Sequence, residues 1–454
     1  MERISNAVES FANALFVPWI FGVLFLAGAF LTIRFGFVQF RRFPEAARAM
    51  FARQQSGARG ALAPFQTFMA ALAATIGTGN IAGVATAIIE GGPGALFWIW
   101  CYGVLAMAVK FAEAVLGVHY RIVRGEYVYS GPMYYLRDGL GSPALAWIYA
   151  FVAGIAVLFT TPFTQPNSVA VVVESEFGVN TGLTGVVLAV LTLLVIVFGI
   201  KSIGRAAEFL SPLKVGFFVI GGLIVLLMHA SRLPEVLQLV FEQAFSREAG
   251  MGTAKGAAVY VALRYGLARG VYANEAGYGT AAVMYGTAKT ENPSQQGLQA
   301  MMEVFIISFV TCTLTALCLL VTEAWKSDAQ SSAAVAVAFN AAMPTVGGWM
   351  VAISMFLFGY SALIGWAYYG EQFLEYIFGP RVVGPFRWLY CALIPFGAMA
   401  KVDLVWAWGD VLNGLQIFPN MIGLLALSGV AAAFALGRNK VSHDAHRGGQ
   451  ASSS

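Results

Sequence analysis

Long apolar segments recur along the whole chain, separated by short polar stretches rich in Gly, Pro and Arg. A helix of about twenty apolar residues spans the hydrocarbon of a bilayer, so the pattern predicts an all-α, polytopic membrane protein. It divides into about eleven spans, near residues 14–36, 64–90, 94–117, 143–173, 183–200, 206–228, 255–286, 297–322, 347–374, 383–400 and 421–437. The stretch 404–415 is less regular. Pro419 and Asn420 separate it from the last span, which puts it at the outer interface.

Two spans are interrupted alike. The second contains Gly77-Thr78-Gly79-Asn80, and the seventh contains Tyr272-Ala273-Asn274-Glu275-Ala276-Gly277-Tyr278-Gly279. Counted from the second span, these breaks open two groups of about five helices that enter from opposite sides, an inverted 5+5 repeat. The single transmembrane domain 1–454 then comprises an extra helix and basic loop (1–60), a first repeat (61–228), a second repeat (254–437) and a tail (438–454). Unpaired backbone groups cost several kcal/mol each in hydrocarbon. A broken helix therefore survives only where its freed groups meet protein, water or ligand. Half-helix N-termini attract a carboxylate and bare carbonyls attract a cation; an amino acid carries both charges. Thr78, Asn80 and Asn274 add neutral polar groups suited to a zwitterion. The competing reading of Gly79-x-x-x-Gly83 is helix packing, which leaves Gly77, Asn80 and the matching second break unaccounted for.

Composition agrees: 59% of residues are hydrophobic and 11% charged. The net charge of +4 is spread over short loops, so no nucleic-acid partner is implied. Basic residues concentrate in alternate loops, from Arg34, Arg41, Arg42, Arg48, Arg53 and Arg59 through Arg121, Arg124 and Arg137 to Arg438 and Lys440. The opposite loops hold only Arg3, Arg232, Arg247, Lys255, Lys326 and Lys401. The positive-inside rule places the N-terminus outside and the C-terminus inside a cell inner (plasma) membrane. The first apolar segment lacks a small-residue cleavage site and reads as a span. The tail from His443 reads as disordered. Cys101, Cys312, Cys318 and Cys391 lie in apolar segments as inert thiols, and the four histidines form no metal constellation. Without a Ser/His/Asp grouping or nucleotide-binding loop, an enzyme or ATP-driven pump is not indicated, nor any cofactor. A channel would need a continuous polar pore. A carrier or a carrier-like sensor remains, with oligomeric state unread.

At these positions the chain resembles the alanine/glycine:cation symporter (sodium:alanine symporter) family. The resemblance rests on Gly77-Thr78-Gly79-Asn80-Ile81-Ala82-Gly83-Val84, Gly91-Gly92-Pro93-Gly94-Ala95, Lys110-Phe111-x-Glu113 and Gly131-Pro132-Met133-Tyr134-Tyr135. It extends through Gln165-x-Asn167-Ser168, Arg269-Gly270-Val271, Asn274-Glu275-Ala276-Gly277, Gly365-Trp366 and Asp410-x-x-Asn413-Gly414. It implies a leucine-transporter-like fold, alternating access, and symport of alanine or glycine with Na+ or H+. A glutamine carrier and a non-transporting sensor are the alternatives. By that analogy the substrate meets Thr75, Gly77, Thr78, Gly79, Asn80, Gln165, Tyr272, Asn274 and Trp366. Glu275, Glu303 and Asp410 are gating or structural charges.

The chain also departs from that family. Tyr272-Ala273 stands where Phe-Ser is usual, Pro166 follows Gln165, and Ile307 replaces an acid. The fold commonly holds sodium between break carbonyls, here Ala73 and Ile76, and two hydroxyls, but the pair here reads Ser361-Ala362. Lys214 lies at a usually apolar position, and proton-coupled relatives in the wider fold place an ammonium where that sodium binds. Intramembrane lysines are functional by default. The alternative is snorkelling, since Lys214 lies roughly 13 Å along the helix from Arg205. Lys110 and Glu113 read as an i,i+3 ion pair. Arg264 and Arg269 flank the second break and seek an acidic partner that the sequence does not name.

Overall fold

A computed structural model of the chain describes residues 19–52, 57–125, 127–245 and 257–438. The start of the first span, the basic residues Arg3, Arg53, Arg247, Lys255 and Lys440, and the tail with its expected disorder lie outside the described residues.

The principal helices are α1 (Phe21–Arg34), α2 (Pro64–Thr75), α3 (Ala82–Gly91) and α4 (Ala95–His119). A hairpin follows, β1 (Ile122–Arg124) antiparallel to β2 (Tyr127–Tyr129). Next come α5 (Pro143–Phe159), α6 (Thr161–Phe177), α7 (Thr181–Ile196), α8 (Ile200–Met228) and α9 (Leu233–Phe245). The second half holds α10 (Ala257–Asn274), α11 (Thr280–Gly286), α12 (Pro293–Phe305), α13 (Cys312–Val321) and α14 (Ser331–Ala342). It ends with α15 (Val346–Phe378), α16 (Val383–Met399), α17 (Val402–Ala426) and α18 (Ser428–Ala435).

Prolines set many of the starts: Pro64, Pro143, Pro162 and Pro293 occupy first-turn positions of α2, α5, α6 and α12, where the missing N–H costs nothing. The first break separates α2 from α3 by a 3₁₀ turn at Thr78–Asn80, and the pair bends by 64°. The second separates α10 from α11 through Glu275, Gly277 and Gly279, all at positive φ. Glycine adopts that conformation without penalty. α3 packs on α10, while α2 packs on α8 and α15. Both breaks therefore lie inside the bundle. Leu194, Phe209, Leu223, Leu227 and Trp388 face outward, an apolar exterior that suits lipid rather than water.

Six described helices are long and apolar enough to cross a membrane, or eight if two bent pairs each count as one span. α1 and α7 are shorter, and α10 with α11 carries Arg264, Arg269 and Glu275. One sequence expectation is corrected: residues 404–415 are not a separate interfacial stretch. α17 runs through Pro419 to Ala426, and the 64° bend falls at Leu427 instead. Neighbouring helices in a bundle satisfy the carbonyl that an internal proline frees. The fourth span is interrupted at the single residue Thr160, between α5 and α6, but continues as one span. Helices α9 and α14 were not foreseen.

Candidate functional site

The two breaks face one cavity. It is narrow and lined by Ala74, Thr75, Gly77, Gly79, Gln165, Tyr272, Glu275, Tyr278 and Trp366. The glycines make this geometry possible. A Cβ on Gly77 would stand 2.6 Å from Gln165 Oε1, and one on Gly79 would stand 2.6 Å from the Tyr272 ring. Gln165 Oε1 accepts from the freed Thr78 N–H at 2.8 Å, and Gln165 Nε2 lies 3.4 Å from Tyr272 Oη. Pro166 therefore leaves Gln165 aimed at the break. Tyr272 Oη donates to Thr164 Oγ1 at 2.6 Å, closing the ring of contacts from α10 to α6. The hydroxyls of Thr75 and Thr78 are buried without a hydrogen-bond partner among the described residues. Such atoms are what a bound polar ligand satisfies.

On the far wall Glu275 accepts from Trp366 Nε1 and Thr280 Oγ1, each at 2.7 Å. The cavity thus presents N–H and hydroxyl groups at the first break and a carboxylate at the second, the polarity that complements a zwitterion. Asn80 and Asn274 do not line it. They lock the breaks onto the π-helical turn Ile306–Thr311 between α12 and α13. Asn80 Oδ1 accepts from Thr311 Oγ1 at 3.1 Å, and Asn274 Nδ2 donates to Ser308 Oγ at 3.3 Å. Ile307 is buried in the same turn. Thr164 and Tyr278 were missed by the sequence reading: Thr164 stands outside both interrupted motifs, and Tyr278 stands inside the second without being singled out as a contact.

Lys214 is buried on α8 and does not snorkel. Its ammonium donates to the carbonyls of Ala73 (3.1 Å) and Ile76 (2.6 Å) and to Ser361 Oγ (2.6 Å), with Leu72 O at 3.2 Å. α2 ends at Thr75, so the Ala73 and Ile76 carbonyls lack helical partners, while Leu72 O also accepts the Ile76 N–H at 3.0 Å. Three carbonyls and a hydroxyl form a cage for a monovalent cation, and here the ammonium fills it.

The charged residues pair otherwise than the spacing implied. Lys110 bonds Glu303 on α12 at 2.9 Å, not Glu113, and Tyr285 Oη donates to the same Glu303 at 2.8 Å. Glu113 instead accepts from Gly277 N, Gly279 N and Asn420 Nδ2 at 2.9–3.1 Å. Helical i,i+3 proximity lost because the second break offered unsatisfied N–H groups. Arg269 makes a buried two-pronged bond to Asp410 at 3.1 and 2.9 Å, on the α10 side of the cavity. Asp410 is thus the acid that Arg269 sought. Arg264 lies over the Tyr265 ring.

At the basic end of the bundle the two broken spans are tied by backbone. Ala61 N and Leu62 N donate to Thr287 O at 2.8 and 3.1 Å, and Lys289 N donates to Leu62 O at 2.7 Å. Arg121 clamps this bridge, donating to the carbonyls of Arg59, Gly286, Ala288 and Thr290 at 2.5–3.0 Å. Burial pulls the Arg121 guanidinium below its usual value, opposed by the charge of Glu291; a guanidinium stays protonated regardless.

Two discontinuous helices around a central polar cavity, closed by contacts at both ends, define a secondary transporter, an integral membrane carrier and not an enzyme. The chain belongs to the sodium:alanine symporter family, whose model matches residues 1–443. It is therefore a cation-coupled amino-acid symporter. It is 41% identical over 439 residues to the sodium/alanine symporter AgcS of Methanococcus maripaludis, covering 94% of this chain and 95% of that one. It is 33% identical over 435 residues to the probable sodium/glutamine symporter GlnT of Bacillus subtilis, covering 95% and 90%. Among solved structures, MhsT in complex with L-phenylalanine matches with a TM-score of 0.59 over 85% of this chain and 98% of that one. At 12% identity that likeness concerns the fold, the leucine-transporter-like one.

Proposed function

We propose that this chain imports alanine or glycine across the cell inner membrane, driven by a cation gradient, with its substrate in the cavity between the two breaks. The observation that carries this is the cavity's divided polarity: Thr75 and Gln165, the latter holding the Thr78 N–H, on one side, and Glu275 on the other. The substrate carboxylate takes the Thr78 N–H in place of Gln165 Oε1, and the substrate ammonium faces Glu275. Tyr272, Tyr278 and Trp366 wall the narrow cavity, which favours a small side chain. Gly77 and Gly79 let the backbone approach.

The reading includes about eleven spans with the N-terminus outside, which follows the basic loops. The Arg269–Asp410 pair is then the outer gate, and the Leu62–Ala288 bridge with Arg121 the cytoplasmic one. Opening one while the other holds is alternating access. Lys214 supplies the charge that a sodium ion supplies in the same cage elsewhere in the fold, so the chain uses one sodium fewer than typical members, or none.

The test is counterflow of labelled alanine in liposomes with unlabelled alanine, glycine or glutamine inside. Alanine and glycine should trans-stimulate entry strongly. Stimulation by glutamine alone would transfer the site to a larger substrate, and absence of any stimulation would leave a sensor.

A further inference from the structure

Four ionisable side chains surround the second break in the interior of the bundle: Lys110, Glu113, Glu275 and Glu303, all essentially inaccessible to solvent. Lys110 neutralises Glu303. Glu275 faces the cavity, where the substrate ammonium answers it under the reading above. Glu113 is left with no cation of its own. Its Oε1 gathers three N–H donors, from Gly277, Gly279 and Asn420. Its Oε2 is buried with no hydrogen-bond partner among the described residues.

These features pull in opposite directions. Three donors on one oxygen favour the carboxylate. A bare, buried second oxygen and an unpaired charge inside a membrane favour the neutral acid. Neither form wins outright, which is the condition for gaining and losing a proton in a working cycle. The titratable groups facing Glu113 are Lys110 on its own helix and the phenols of Tyr102, Tyr135, Tyr149 and Tyr369, while Glu275 and Glu303 share Lys110 with it. Lys110 is the one cation among these groups, and it is bonded to Glu303.

We propose that Glu113 is a proton-binding site, and that the proton it takes from the cavity side and releases to the cytoplasm is a coupling ion of this carrier. The inference rests on the chain being a carrier. Its mechanical link is direct. A protonated carboxyl is a weaker acceptor, so protonation loosens the hold on Gly277 and Gly279 N–H and frees the second break to move. Proton loss to the cytoplasm restores the grip and resets the loop. Lys214 plays no part in this step.

The test uses the full chain in liposomes with a pH dye inside and the membrane potential clamped. For wild type, alanine entry should acidify the lumen, and one unit of pH gradient should raise alanine accumulation roughly tenfold for one proton per alanine. Glu113→Gln keeps an oxygen for the same N–H donors. It should retain alanine counterflow yet lose both the acidification and the response to the gradient. Glu113→Asp should retain both with a shifted pH profile. Acidification that persists in Glu113→Gln, or alanine entry without acidification in wild type, overturns the proposal. So does a folded Glu113→Gln without counterflow, because Glu113 would then be a fixed anionic latch. Wild type that counterflows no small neutral amino acid would instead sink the carrier reading beneath it.

Discussion

A methyl group added at Gly79 would sit 2.6 Å from the Tyr272 ring, and one at Gly77 equally close to Gln165 Oε1. Overpacking of this kind costs about 1–3 kcal/mol, so Gly79→Ala should lower apparent alanine affinity by about tenfold or more. Equilibrium binding measured on the purified variant checks this, and unchanged affinity would place the substrate elsewhere. Lys214 allows a constructive test. Lys214→Ala empties a cage of three carbonyls and one hydroxyl, and Ala362→Ser restores the missing hydroxyl beside Ser361. The double variant should acquire or strengthen sodium stimulation of uptake, while Lys214→Ala alone should be impaired. Indifference of the double variant to sodium would show that the cage is structural. At this scale the sequence was informative where a residue breaks the rules of its surroundings. Glycines and asparagine inside an apolar span, and a lysine on α8, are such residues. It was uninformative where a contact depends on the path of another helix. Glu113 and Lys110 sit three apart on one helix, but break 2 and α12 decide their partners.

Among the elements, the two ends of the cavity are closed by different chemistry. On the α10 side Arg269 and Asp410 join two helices through side chains. Asp410→Asn leaves a buried guanidinium without its counter-charge, at a cost of about 3–5 kcal/mol. It should open that end and raise the rate at which an impermeant thiol reagent modifies a cysteine placed at Thr164. Protection unchanged from wild type would remove the pair from gating. At the basic end the closure is backbone to backbone, with Arg121 bonded to four carbonyls. Arg121→Ala should shift the population toward the cytoplasm-open form, measured as a longer spin-label distance between Gly57 and Glu291. Arg121→Lys, a point donor without the planar fork, should recover the closed distance only in part. None of this bridge was legible beforehand. Backbone pairing between Leu62 and Ala288 leaves no side-chain signature, and Arg121 read simply as one basic loop residue among many. The continuous α17 was misjudged for a related reason: Pro419 is a breaker in water, but a packed bundle absorbs it.

For the whole molecule, periodicity and the matching interruptions carried the class, because the absence of water forces every irregular backbone segment to have a purpose. The span count was less accessible. Short helices such as α7 and α14, and a broken span that carries its own arginines, blur the line between crossing and lying along the membrane. The arrangement of six basic side chains in the loop after the first span makes one topological expectation: a reporter at the C-terminus should be cytoplasmic and a tag at the N-terminus accessible from outside. Protease or label access to the opposite ends would reverse the gates assigned above.

Under the proposed function a zwitterion binds between two broken helices and is moved by a cation gradient. Labelled alanine uptake into liposomes, with sodium and proton gradients imposed one at a time, tests it most directly. Uptake should be driven by the proton gradient without sodium, with any sodium stimulation smaller than in typical members. Uptake driven by sodium alone and indifferent to protons would contradict the roles given to Lys214 and Glu113, and no uptake under either gradient would contradict the carrier itself.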